Sequence, residues 1–397
     1  MKKSIFLLLF LSLTGAYAQS ISSPTFGKGI VNIKAQDSSF TMKIGFRMQI
    51  LAQSNTDLEN GQFVSKQTSM KIRRARLKFD GYVLNPKLVY KIELGLSNDD
   101  MGGASPFTND AARMILDAVV KYNFHKNWWF WAGQAKLPGN RERVISSGNL
   151  QFVNRSELNS EFNMDREAGI QIRNEHHLGR QFYLREIVSF SQGEGRNVST
   201  GNIGGYYYIG RMELLPFGKF KNKGDYIESD LEFETTSKLA IGITYGYNDN
   251  AVKTRSNQGR YMETDQGFYQ TDISTLFIDF MYKYKAWSAM GEFAKRASNS
   301  PFAVNSDGSL TGDFVEIGQA ANIQAAYLWP KHYELAFRYS SVNFDEQIGL
   351  NDLYEYTLGA SKYFVGHKLK LQADISYTDT QGPRDGFRWR VQMDLHF

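Results

Sequence analysis

Two short stretches of the chain space their cations so that alternate residues carry charge. In RARLKFDGYV, Arg74, Arg76 and Lys78 stand two apart, and in FRWRVQMDLHF Arg388 and Arg390 do the same. FTMKIGFRMQI carries Lys43 and Arg47, and LVYKIELGL carries Lys91. A guanidinium presents a planar fork of donors that matches carboxylate and phosphate oxygens. Cations held in rings or arcs favour the passage of anions through a pore. The same side chains could instead pair with carboxylates such as Asp80, Glu93 and Asp394 and only brace a wall.

Other chemistries find less support. There is no cysteine, so neither disulfides nor thiolate metal sites are available. His176-His177 is a pair without a third ligand, and the spacing of SNDDMGG and YNDNA is not that of a calcium loop. GEGRN lacks the glycine spacing of a nucleotide cradle. The net charge of +5 falls to about +3 once Lys2 and Lys3 are removed, which is too mild for nucleic-acid binding. No cofactor and no metal is expected.

Period two positions these cations. HKLKLQADISY sets Leu369, Leu371, Ala373, Ile375 and Tyr377 against Lys368, Lys370, Gln372, Asp374 and Ser376. An apolar row and a polar row on one segment define a strand with two unlike faces. About sixteen such segments begin near residues 40, 70, 87, 112, 127, 167, 181, 206, 238, 274, 286, 317, 332, 353, 367 and 386. Short connections such as 84–86 and 125–127 alternate with long polar ones: 54–68, 98–110, 137–165, 191–205, 249–272, 297–315, 342–352 and 379–385. Short turns on one rim and long loops on the other suit a barrel that crosses an outer membrane. Residues 216–236 break the rule, being long where a short turn is due.

The polar rows carry too many charges of both signs for a packed interior, and the apolar rows are rich in aromatic residues near their ends. Apolar rows are therefore expected to face lipid, with closure removing every free edge. Closure sets the last strand beside the first, so Arg47, Arg74, Arg76, Lys78, Arg388 and Arg390 are expected on one arc of the lumen, with Lys43 and Lys91 also inward. The third long loop, 137–165, brings Arg141, Glu142, Arg143 and Arg155 toward a constriction if it folds inward. The first nineteen residues, MKKSIFLLLFLSLTGAYAQ, have a basic start, an apolar run and Ala16-Tyr17-Ala18 before a cleavage point. The expected organisation is a signal peptide at 1–18, a periplasmic segment at 19–39 and a barrel at 40–397.

The stretches RRARLKFDGYVLNPKLVYKIEL (73–94), WAGQAKLPGNRERVISSGNLQFVNRS (131–156), PFGKFKNKGDYIESDL (216–231) and ELAFRYSSVNF (334–344) resemble the phosphate-selective porin O and P family, in its Bacteroidota form. The resemblance implies an all-β, sixteen-stranded antiparallel transmembrane barrel, an inward-folded third loop and a homotrimer. It also implies that insertion machinery reads the terminal strand ending in Phe397. One departure is that Gly139-Asn140 follows Pro138 where the family often has Phe-Gly. The reading is an outer-membrane diffusion porin of a Gram-negative bacterium, not an enzyme, that weakly favours small anions, phosphate among them. Its alternatives are a barrel enzyme and a soluble exported carbohydrate-binding protein.

Overall fold

The computed structural model describes residues 20–22, 25–103, 105–382 and 385–397. The expected signal peptide, 1–18, lies outside the described residues. Eighteen strands join one antiparallel sheet, and sixteen of them form a closed ring. They are β1 (Thr41–Glu59), β2 (Gln62–Val83), β3 (Asn85–Gly95), β4 (Ile115–His125), β5 (Trp128–Lys136), β6 (Arg166–Gly179), β7 (Phe182–Ser191) and β8 (Tyr207–Leu215). Then follow β9 (Lys238–Ala251), β10 (Thr271–Tyr284), β11 (Trp287–Ala297), β12 (Gly318–Leu328), β13 (Tyr333–Phe344), β14 (Leu353–Tyr363), β15 (Leu369–Asp379) and β16 (Asp385–His396). Pairing of β16 with β1, from Asp385 opposite Leu58 to His396 opposite Arg47, closes the ring. Of the two remaining strands, Val31–Lys34 folds back on the start of β1 and Ser20–Ser22 pairs with Val31–Lys34. Both described chain ends therefore lie at one rim, where the Phe26 ring meets Phe397 edge-on at 5.6 Å.

Alternation decides the faces as expected. Ile241, Ile243, Ile323, Phe337, Leu358 and Ile375 are exposed on the outside. Their sequence neighbours Thr244, Asn322, Arg338, Thr357 and Asp374 are buried on the inside. Among the described residues no helix is long and apolar enough to cross a membrane.

Two expectations change at β2. The connection 54–68 is not a long loop. β1 and β2 run on as a hairpin to a two-residue turn at Asn60-Gly61, with φ of 51° and 76°. Positive φ at both central residues is what a type I′ hairpin turn demands, and Asn-Gly supplies it. Lower down, Gln49 pairs with Arg74 but Ile50 pairs with Ile72, so Arg73 is the extra residue of a β-bulge. A bulge inverts the alternation across itself. Arg73 and Arg74 consequently both point inward, while Met70 and Ile72 stay exposed outside.

The interior also differs from expectation, because half of it is packed. Residues 137–165 leave β5 and return to β6 through the lumen, the neck tied by Leu137 N–H to the Asp165 carbonyl at 3.1 Å. Two short helices, α1 (Arg141–Val144) and α2 (Glu157–Phe162), lie in this loop. Leu158 and Phe162 pack on inward Phe277, Ala294, Ala320 and Val342. Ile145 and Leu150 pack with Leu215, Ala240, Met281 and Met290. Phe152 sits on Ala326 and Ala336, and a Cβ on Gly359 would come within 2.8 Å of its ring. Each fully buried Leu or Phe contributes about 1.5–3 kcal/mol, so these anchors hold the loop inside.

The long connection 216–236 enters from the opposite rim and meets that loop. Arg141 Nη1 donates to the Asp225 carbonyl at 3.1 Å, and Gln151 N–H to Glu228 Oε2 at 2.7 Å. Glu228 N–H donates to the Asn149 carbonyl at 3.1 Å. Ser229 Oγ reaches Glu334 at 2.5 Å on the wall. Charges are buried here as matched sets, which lets a charged face pack. Arg141 and Arg211 share Glu213 and Asp279, with all four side chains at 0–1% exposure.

Candidate functional site

The packed half lies against β8–β16, where inward residues such as Glu213, Thr244, Asp279, Arg338, Lys370 and Arg390 are buried. The unfilled half lies along β2–β6. Two cavities lie there and share Arg76, Lys136 and Arg166 in their linings. The outer cavity, of ≈ 220 Å³, opens among the long loops. Nine cations line it: Arg74, Arg76, Arg113, Lys136, Arg143, Arg155, Arg166, Arg196 and Lys253, against three carboxylates, Asp99, Asp100 and Asp165. The inner cavity, of ≈ 210 Å³, lies toward the rim of the chain ends, where Lys91, Lys121 and Arg173 meet Glu93 and Asp117.

How these cations are held decides how much charge they keep. Arg76 pairs with Asp100 at 2.5 Å and Glu93 at 3.1 Å. Arg166 pairs with Asp117 at 2.7 Å, and Arg143 with Asp165 at 2.5 Å. Others are aimed by backbone carbonyls. Lys136 Nζ donates to the carbonyls of Arg143, Val144 and Ile145 at 2.7–3.1 Å. Arg155 donates to those of Glu142 and Ile145, both at 2.8 Å. Arg196 reaches the Asp100 carbonyl at 2.5 Å, and Lys253 that of Glu194 at 2.6 Å. A carbonyl fixes a cation without neutralising it, so the cavity keeps a net positive charge.

The loop groups register this crowding. Burial pushes Lys253 down to about 8, with Arg113 adding to the effect. Arg196 is lowered by burial and by its cationic neighbours. Asp165 moves the other way. Burial opposes its charge, but Arg143 and Arg166 hold the carboxyl well below the usual range.

The sequence candidates divide between the two halves. Arg74 and Arg76 line the outer cavity, with Arg74 donating to Gln49 Oε1 at 2.7 Å. Lys91 lines the inner one and bridges Glu93 and Asp117. Lys78 pairs with Asp80 at 3.0 Å nearer the rim of the chain ends. Lys43 also lies near that rim, beside Gly29 of the N-terminal segment. Arg47 and Arg390 are withdrawn from the open half. Arg47 is held by Asp394 at 2.9 Å and by Ser147, and Arg390 by Asp374 at 2.5 Å. Arg388 lines a separate recess near the far rim with Asn55, Asp57 and Gln67. In the third loop, Arg143 and Arg155 face the cavity. Arg141 and Glu142 do not. Arg141 anchors the loop to the wall, and Glu142 caps Ser156 through hydrogen bonds at 2.6–3.1 Å.

Sequence reasoning missed Arg73, Arg113, Lys136, Arg196 and Lys253. Arg73 donates to the Val153 carbonyl at 2.5 Å and to Gln392 Oε1 at 3.0 Å, holding the third loop from the bulge. Its signal was present, because consecutive arginines in a membrane strand would put one of them into lipid unless a bulge turned it in. Lys136 is the last residue of β5, Arg113 precedes β4 although the sequence pattern started that strand near 112, and Arg196 and Lys253 sit on loops taken as external.

A closed sixteen-stranded barrel with an apolar outer face and a charged, partly filled lumen defines the porin class of outer-membrane protein. The chain matches the phosphate-selective porin O and P family over residues 42–385 and belongs to it. A search of curated protein sequences returns no match. Solved structures with a similar fold include the anion-selective porin from Comamonas acidovorans, 10% identical at a TM-score of 0.55, covering 90% of this chain and 100% of that one. Another is OprB of Pseudomonas putida, 8% identical at a TM-score of 0.56, covering 91% and 95%. The outer membrane channel DcaP of Acinetobacter baumannii is 13% identical at a TM-score of 0.53, covering 92% and 99%. The chain is thus an outer-membrane diffusion porin.

Proposed function

We propose that this porin passes small hydrophilic anions along the β2–β6 side of its lumen, and that it acts as a passive conduit without catalysis. The observation that carries the reading is the outer cavity, where nine cations face three carboxylates and several of the cations are aimed by carbonyls. A diffusing anion meets partly uncompensated donors there, and a cation meets a field of its own sign. Phosphate fits this chemistry, as do carboxylates. The third loop and the 216–236 insert narrow the lumen from the other side.

The reading extends to assembly and export. A homotrimer is supported by the fold shared with OmpT of Vibrio cholerae, described in a trimer form, which is 11% identical at a TM-score of 0.50 and covers 90% of this chain and 99% of that one. Residues 1–18 would direct export, and the segment 19–39 would then lie in the periplasm. The aromatic end of β16 would be read by the insertion machinery.

The test is the reversal potential of single channels in planar bilayers under a KCl gradient. Anion preference is expected. Changing Arg74→Ala together with Arg76→Ala should move the potential toward cations. Cation preference in the unaltered protein would overturn the reading.

A further inference from the structure

The two cavities differ in what lines them. Leu116 is the one apolar side chain among the outer lining, whereas the inner cavity mixes its cations with Trp131, Val119, Ala135 and Val144. Trp131 occupies an inward position of β5, paired with Lys121 on β4 and Gln171 on β6, while its neighbour Phe130 faces outward. A lumen tryptophan is not needed by the membrane. Its ring carries the Arg173 guanidinium at 3.9 Å and the Lys121 ammonium at 3.8 Å from the ring centroid. Gln171 Oε1 accepts from Arg173 Nε at 3.0 Å and from Nη2 at 2.6 Å. That neutral amide orients the guanidinium without cancelling its charge.

We propose that this inner cavity is a binding station for organic anions that carry a planar apolar group, an aromatic carboxylate being the simplest. The proposal rests on the anion-pore reading and gives that pore a solute class. Arg173 and Lys121 offer donors to a carboxylate, and Trp131, Val119 and Val144 offer a surface to the ring attached to it. Both cations lie over the indole, so a further ring meets its edge together with Val119 and Val144. An inorganic anion gains from the two cations alone. The volume of ≈ 210 Å³ exceeds the roughly 150 Å³ that holds benzene in an engineered cavity. A solute crossing from the outer cavity is handed on by Arg76 and Lys136, which line both spaces.

The experiment compares block of the chloride current by sodium benzoate and by sodium acetate, added on the periplasmic side of the full-length protein in planar bilayers. Benzoate and acetate carry the same charge and differ in the ring. Half-block by benzoate is expected at a concentration about tenfold lower than by acetate. Trp131→Ala should bring the two to the same value. Arg173→Gln should weaken both carboxylates and keep the benzoate preference. Equal block by benzoate and acetate in the unaltered channel overturns the proposal, as does a preference that survives Trp131→Ala. Trp131→Leu serves the same comparison if the alanine variant does not insert. Reversal potential in KCl separates the two readings. Cation preference sinks the anion pore itself, and anion preference with equal block sinks only the station.

Discussion

Arginines of one type and one spacing do two jobs here, and their partners decide which. Arg76 keeps an edge on the unfilled lumen, while Arg390 is buried against Asp374, which also accepts the Val153 N–H at 2.9 Å. Arg390→Ala would leave Asp374 buried without its cation, a loss of about 3–5 kcal/mol. The expected outcome is a lower urea midpoint of unfolding, with the reversal potential unchanged. Lys253 gives a pH prediction. Its pKa of about 8 lies below that of a free lysine, so it is charged at pH 6.5 and neutral at pH 9.5. Anion preference should weaken across that interval, and Lys253→Met should flatten the dependence, as read from reversal potentials at the two pH values. The charge of each candidate was legible in the sequence, but its partner was not. Arg47 finds Asp394 only because β16 pairs with β1 in one register.

Strands were the most legible elements, since one face of each must meet lipid and period two reports that directly. Leu369 to Tyr377 read correctly without any knowledge of neighbours. The bulge at Arg73 was harder, because it interrupts the period on which the reading depends. The third loop and the 216–236 insert were harder still. Their residues are polar enough for solvent, and only the match of Leu158, Phe162 and Phe152 to small or apolar inward positions draws the loop inside. The insert is an independent filler that touches the loop through Asp225 and Glu228. Replacing residues 217–235 by a four-residue turn should raise single-channel conductance roughly twofold, since side chains then leave the lumen and the ring itself is intact. Unchanged conductance would mean that the insert does not border the path.

At the scale of the molecule, the barrel is divided lengthwise. A packed half lies against β8–β16, and a half with open cavities lies along β2–β6. The sixteen-stranded ring and its outward apolar face were visible in the sequence. The division was not, because it depends on two connections from opposite rims meeting between strands far apart in the chain. Passage of solutes along the β2–β6 side can be tested cleanly because the chain has no cysteine. Single substitutions Arg76→Cys, Lys121→Cys and Thr357→Cys would be treated, in open channels, with a charged thiol-reactive methanethiosulfonate. Arg76 and Lys121 line the cavities, whereas Thr357 faces inward on β14 at 1% exposure. The reagent is expected to lower the current at positions 76 and 121 and to leave it unchanged at 357. A current that falls at 357 and holds at 76 and 121 would place the path on the other side of the barrel.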